Sequence, residues 1–95
     1  MTPADRVDRG AELLDRVRPG WADEVGLEDL DMVHCALCML GQLFGDFDRG
    51  DRALFPGDTL QPSRDHGFFA STIVDYRALE LEWRRVIAER QAVRQ

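Results

Sequence analysis

Ninety-five residues with a formal net charge of −6 make one domain with one modest core. A charged fraction of 32% and an apolar fraction of 44% are ordinary for a globular protein and exclude global disorder. The acidic balance disfavours a general nucleic-acid partner, which needs a basic face.

The carboxylates are interleaved with arginines and form no block, so a solvated mixed-charge surface is expected rather than a nucleic-acid mimic. Met1 to Gly10 are charged and lack the apolar segment of a signal peptide. Cys35 and Cys38 stand too close together to staple a fold, and a reducing cytoplasm suits them. No apolar run reaches the roughly 20 residues of a membrane-spanning helix, so no membrane partner is expected. The chain contains neither Lys nor Asn, whose codons are A/T-rich, and this points to a G+C-rich genome.

The first helix is expected over residues 3–18. Thr2 suits the N-cap, Pro3 the first helical position, and Asp5 the positive end of the dipole. Val7, Ala11, Leu14 and Val17 recur at helical spacing, with Leu13 beside them. The stripe is thin, so this helix is expected to lie across the core as a lid. Arg18-Pro19-Gly20 stops it, and Trp21 is expected to anchor the connection that follows.

Residues 31–44 are the most apolar stretch and predict a buried central helix, capped by Asp29 or Asp31 and ended by Gly45. His34, Cys38 and Gln42 fall on its one less apolar stripe, which is either partial exposure between neighbours or a contact for a partner. Gly41 predicts close approach of a backbone or a large ring, and Trp83 is the candidate ring.

Asp46 to Arg52 resemble a calcium loop only superficially. Counted from Asp46, the sixth position is Asp51 instead of Gly and the twelfth is Gly57 instead of Glu. A helical turn is expected at 52–55 and another at 63–66, inside an irregular connection rich in Pro and Gly. Phe68 and Phe69 are expected to place at least one ring in the core, the other being available to a partner.

The last helix is expected over residues 74–91. Tyr76, Leu79, Trp83, Val86, Ile87 and Arg90 share one face, and Glu80 precedes Arg84 at ion-pair spacing. No strand-like alternation and no internal repeat occurs. The whole predicts an all-α domain, a small helical fold with a central helix packed by amphipathic N- and C-terminal helices.

Chemistry is sparse. The Cys-x2-Cys spacing of Cys35 and Cys38, with His34 and His66, is the one candidate zinc or thiol-redox set. Against it stand the single Cys pair and its place inside a predicted helix, so buried ordinary cysteines are the favoured reading. A Cys38–His66 nucleophilic pair oriented by Asp65 lacks a Gly-rich oxyanion loop. No phosphate-binding loop is present, no cofactor is expected, and the chain does not read as an enzyme.

Several pieces together resemble a known group. They are Arg18-Pro19-Gly20-Trp21, Leu30-Asp31-Met32, Cys38-Met39-Leu40-Gly41-Gln42-Leu43-Phe44-Gly45, His66-Gly67-Phe68, and Tyr76 with Leu79, Trp83 and Ile87. The pattern is similar to small uncharacterised proteins encoded by phages of actinobacteria. In that family a second Cys often stands two positions before the match to Cys38. Here that position is Ala36 and the extra cysteine is Cys35. The resemblance implies an origin, not a mechanism. The expectation is a phage accessory protein in the host cytoplasm that binds a host or phage protein. Residues His34, Gln42, Phe68 and Phe69 are its candidate contacts, and a homodimer is compatible with so apolar a central helix in so small a chain, with Phe68 and Phe69 besides.

Overall fold

The structure, a computed structural model, describes residues 1–93. These form six helices and no strand: α1 Pro3–Val17, α2 Trp21–Glu24, α3 Met39–Phe44, α4 Phe47–Leu54, α5 Gln61–Asp65 and α6 Ile73–Val93. The domain is all-α, as its periodicity predicts.

α1 starts on a capping box. Thr2 Oγ1 accepts from the Asp5 backbone N–H, and the Asp5 carboxylate accepts from that of Thr2, both at 3.1 Å. The helix packs along α6, and Val7, Ala11 and Leu14 are fully buried against it. It is therefore half of the central helix pair and not a lid. Only the first three turns do this, because Val17 is exposed. α6 contributes Leu79, Trp83, Val86 and Ile87 to the same core. α3 pairs with α4, α5 touches α1, and α2 bridges α3 and α6.

Three aromatic rings lock this arrangement. Trp83 stacks on Phe68 with centroids 5.3 Å apart and meets Trp21 edge-on at 5.8 Å. Its indole N–H donates to the Gly67 carbonyl at 2.8 Å. Trp21 in turn donates to the Asp15 carboxylate at 2.8 Å and lies under the Arg90 guanidinium. Both indole N–H groups are thus satisfied, which burial requires. The glycine beneath Trp83 is Gly10 and not Gly41: a Cβ at Gly10 would touch the ring at 3.0 Å and collide with the His66 carbonyl.

The largest departure from the sequence pattern concerns residues 31–44. Only Met39–Phe44 is helical, and residues 31–38 are a chain of turns. Short polar side chains compete with the helical ladder here. The Asp31 carboxylate accepts from the Val33 N–H at 3.1 Å, and His34 Nδ1 accepts from the Ala36 N–H at 3.1 Å. Cys38, extended at ψ 175°, is the N-cap, and its sulfur accepts from the Gly41 N–H at 3.3 Å. Neither Asp29 nor Asp31 caps this helix. Gly45, at φ 106°, ends it as its position predicts.

The expected close approach at Gly41 is present, but its partner is the backbone of Cys35 and Ala36, which folds over the glycine. α6 completes the turns. Glu80 accepts from the Met32 N–H at 3.0 Å, and Arg84 donates to the carbonyls of Leu27 and Leu30 at 2.9 and 3.0 Å. Glu80 and Arg84 are 3.9 Å apart, so they serve this segment more than each other.

Asp46 is the N-cap of α4, accepting from the Arg49 N–H at 2.8 Å. α4 is a full helix where only a turn at 52–55 is expected. Gly50 is buried, and a Cβ there would meet the Leu40 and Phe44 side chains. The turn expected near 63–66 is α5. Ser63, fully buried, donates its hydroxyl to Asp51 and ties α5 to α4.

Gly10→Ala is expected to cost about 2 kcal/mol or more through overpacking of Trp83 and the 66–67 backbone. Gly57→Ala, with open space around it, is expected to be neutral or mildly stabilising. Thermal unfolding of the two variants checks this. Equal melting temperatures would contradict the packing at Gly10.

Candidate functional site

The most site-like feature is a groove of about 330 Å³ between the 32–38 turns, the start of α4 and the start of α6. Met32, Val33, Phe47, Phe69 and Tyr76 give it an apolar and aromatic lining. Phe69 lies 6.0 Å from Phe47 and meets Tyr76 edge-on at 6.2 Å. Two carboxylates, Asp46 and Asp48, complete the lining with Cys35 and Cys38. Asp46 is engaged with Arg49, while Asp48 is exposed and makes no ion pair among the described residues.

The walls are fixed by backbone hydrogen bonds. The Phe47 N–H donates to the Cys35 carbonyl at 3.0 Å, and the Asp31 N–H to the Leu37 carbonyl at 3.2 Å. Because residues 31–38 turn instead of coiling, Val33 and Leu37 face solvent at 41% and 37% exposure. An apolar lining with adjacent carboxylates suits an apolar side chain next to a cationic one, and aromatic faces also attract cations.

The four sequence-predicted contacts separate. Phe69 lines the groove. Phe68 is buried under Trp83 and is a core residue. Gln42 spends its amide on structure: Oε1 accepts from the Gly26 N–H at 2.7 Å, and Nε2 donates to the Gly26 and Leu37 carbonyls. His34 is exposed beside Val33, outside the groove lining. Val33 and Phe47 line the groove and are not among the residues chosen from sequence. The signal of Val33 was hidden, since an apolar residue in an apolar run looks like core, and that of Phe47 because it stands alone between Asp46 and Asp48.

The zinc or redox alternative finds no assembled site. His34, Cys35, Cys38 and His66 do not converge, and among the described residues no three His, Cys, Asp or Glu side chains form a metal-holding group. Cys35 is exposed and Cys38 is buried. Burial pushes the Cys38 thiol above its ordinary value, with hydrogen bonds from Gly41 and Leu40 working against that rise. His66 rests its ring 4.9 Å from Phe55 and places Nδ1 2.8 Å from the Pro62 carbonyl, closing its own loop. Asp65 accepts from Gln61, so it does not orient His66 toward Cys38.

A second, larger depression of about 540 Å³ lies where α1 ends beside α2 and the end of α6. Its charges are spent internally. Arg90 binds the Asp15 carboxylate at 2.7 and 3.1 Å and, with the Trp21 indole, holds that carboxyl below its usual range. Among the described residues no helix is long and apolar enough to cross a membrane. Comparison with protein-family models, curated proteins and solved structures finds no match to this chain.

In native protein, Cys35 is expected to react with an aromatic disulfide reagent while Cys38 stays protected, and both react in denaturant. Equal native rates would contradict the burial of Cys38. A thiol raised in the folded state favours the protonated form. Its contribution to stability is full below the unfolded thiol value and is lost as pH rises through the folded one. Urea midpoints from neutral pH to about pH 10 are expected to fall, and to fall less in Cys38→Ala. The chain has no Lys to titrate in that range.

Proposed function

We propose that this chain is a small acidic phage accessory protein that acts by binding a protein in the cytoplasm of its bacterial host. Its role is recognition rather than catalysis. The observation that carries the reading is the groove: an apolar lining from Val33, Phe47, Phe69 and Tyr76 beside the carboxylates of Asp46 and Asp48.

A groove so built fits a partner segment with an apolar anchor next to Arg or Lys. The anchor supplies buried apolar area, and the carboxylates supply orientation and exclude acidic competitors. The chain's net charge of −6 steers the same class of partner. The phage origin rests on the Arg18-Pro19-Gly20-Trp21 and Cys38-to-Gly45 resemblance and on the absence of Lys and Asn.

The test is capture from an actinobacterial host lysate on immobilised protein, with mass spectrometry and a Val33→Glu control. Val33 is exposed, so the substitution leaves the core intact while placing a charge in the groove. One saturable protein retained by the native chain, and bound at least about tenfold more weakly by Val33→Glu, is the expected result. Equal retention by both chains would remove the groove from the interface. Recovery of nothing would remove the soluble host target.

A further inference from the structure

Among the described residues, two arginines are each held by a ring and a carboxylate together. The Arg18 guanidinium lies 5.0 Å from the Phe44 ring centroid and donates to both Glu24 carboxylate oxygens, at 2.9 and 3.0 Å. The Arg90 guanidinium lies 5.3 Å from the Trp21 ring and donates to both Asp15 oxygens, at 2.7 and 3.1 Å. Both pairs stand at half-exposed positions. The ring takes the flat face of the cation, and the carboxylate takes its N–H fork.

The groove holds the same two parts. Phe47, Phe69 and Tyr76 line it, and so does Asp48. Asp48 is exposed, and the arginines nearest to it in sequence are turned elsewhere. Arg49 pairs with Asp46, and Arg52 donates to the Asp48 carbonyl instead of its carboxylate. Arg64 sits over Phe69 at 5.1 Å and donates to the Ser71 hydroxyl, so one face of that ring is already covered. Among the described residues no guanidinium lies over Phe47 or Tyr76. We propose that the groove is an arginine subsite. A guanidinium of the bound protein stacks on the Phe47 ring and forks onto the Asp48 carboxylate, while the apolar neighbour of that arginine packs on Val33.

The subsite rests on the groove being the contact surface, and it adds which side chain that surface reads. Arginine is selected over lysine by the chemistry of the two cations. A guanidinium is planar, weakly hydrated and forked, so it meets a ring and a carboxylate at once. An ammonium is a compact, strongly hydrated point charge and gains mainly the charge attraction. Asp48 is therefore the specificity-determining residue and Phe47 its stacking partner. Asp46 does not share that role, because its carboxylate caps α4 and binds Arg49. An acidic segment is rejected at the same place, since Asp48 would face a like charge.

Two peptides are the probes, acetyl-leucyl-arginine amide and acetyl-leucyl-lysine amide, titrated into the full chain and followed by backbone amide chemical shifts. The arginine peptide is expected to bind at least about threefold more tightly, with the largest shifts at Val33, Phe47, Phe69 and Tyr76. Asp48→Asn is expected to weaken it at least about fivefold, and Phe47→Leu to bring the two peptides to equal affinity. Asp48 is exposed and the amide is isosteric, so the circular dichroism spectrum of Asp48→Asn is expected to stay native. Equal affinities in the native chain, undiminished binding by Asp48→Asn, or shifts outside the groove would overturn the proposal. Capture from host lysate separates the subsite from the groove itself. A host protein lost by Val33→Glu and kept by Asp48→Asn overturns the arginine subsite and leaves the groove as the interface. Selective peptide binding with nothing captured from lysate supports the subsite and removes the host target.

Discussion

An indole ring with 0% exposure, whose one polar atom donates to the Gly67 carbonyl, sets the spacing of everything around it. Trp83 needs a flat neighbour on one side and a missing side chain on another. Phe68 supplies the first and Gly10 the second. That requirement fixes how closely α1 approaches α6, because Gly10 stands between Val7 and Leu14 on the buried face of α1. It also fixes the chain entering α6, because Gly67 must hold φ at 77° against Val7 while presenting its carbonyl to the ring. Fully burying a ring or large aliphatic side chain is worth roughly 1.5–3 kcal/mol, and several such residues meet here.

With the α1–α6 pair fixed, the polar edge of α6 organises the rest. Glu80 and Arg84 supply partners for the backbone of residues 27–32, which forms no regular structure. Arg77 adds Asp31 at 3.0 Å. The irregular segment is therefore held from the helix side, and its outer edge is left to form the groove wall. Gln42 closes the same segment from α3. The groove is a consequence of a chain that turns where its composition would allow a helix.

The two long helices were legible in the sequence. α1 and α6 fall within a residue or two of the spans their periodicity predicts, since capping at Thr2 and a continuous face from Tyr76 to Ile87 are local signals. The central segment was not legible. Its apolar run is equally consistent with a buried helix and with turns that expose Val33 and Leu37. Beside the local bonds of Asp31, His34 and Cys38, the turns are held by tertiary contacts: Glu80 accepting from the Met32 N–H, the Phe47 N–H donating to Cys35, and the 35–36 backbone lying over Gly41. α4 was missed because Asp46 to Arg52 carry acid and glycine with little apolar stripe, while what seats the helix is spatial, the approach of Gly50 to Leu40 and Phe44. Of the four contact residues chosen from sequence, Phe69 lines the groove and Phe68 beside it belongs to the core.

The claim on which the fold and the groove both depend is the placement of the Trp83 ring over Gly10. Proton NMR of the native chain reads it directly, because ring currents displace protons lying against an indole face or edge. Gly10 Hα resonances far from their unstructured values, with through-space contacts to the Trp83 six-membered ring, are the expected result. Gly10 protons at ordinary positions, with Trp83 contacts to Gly41 instead, would contradict it and would restore a continuous central helix beneath the ring.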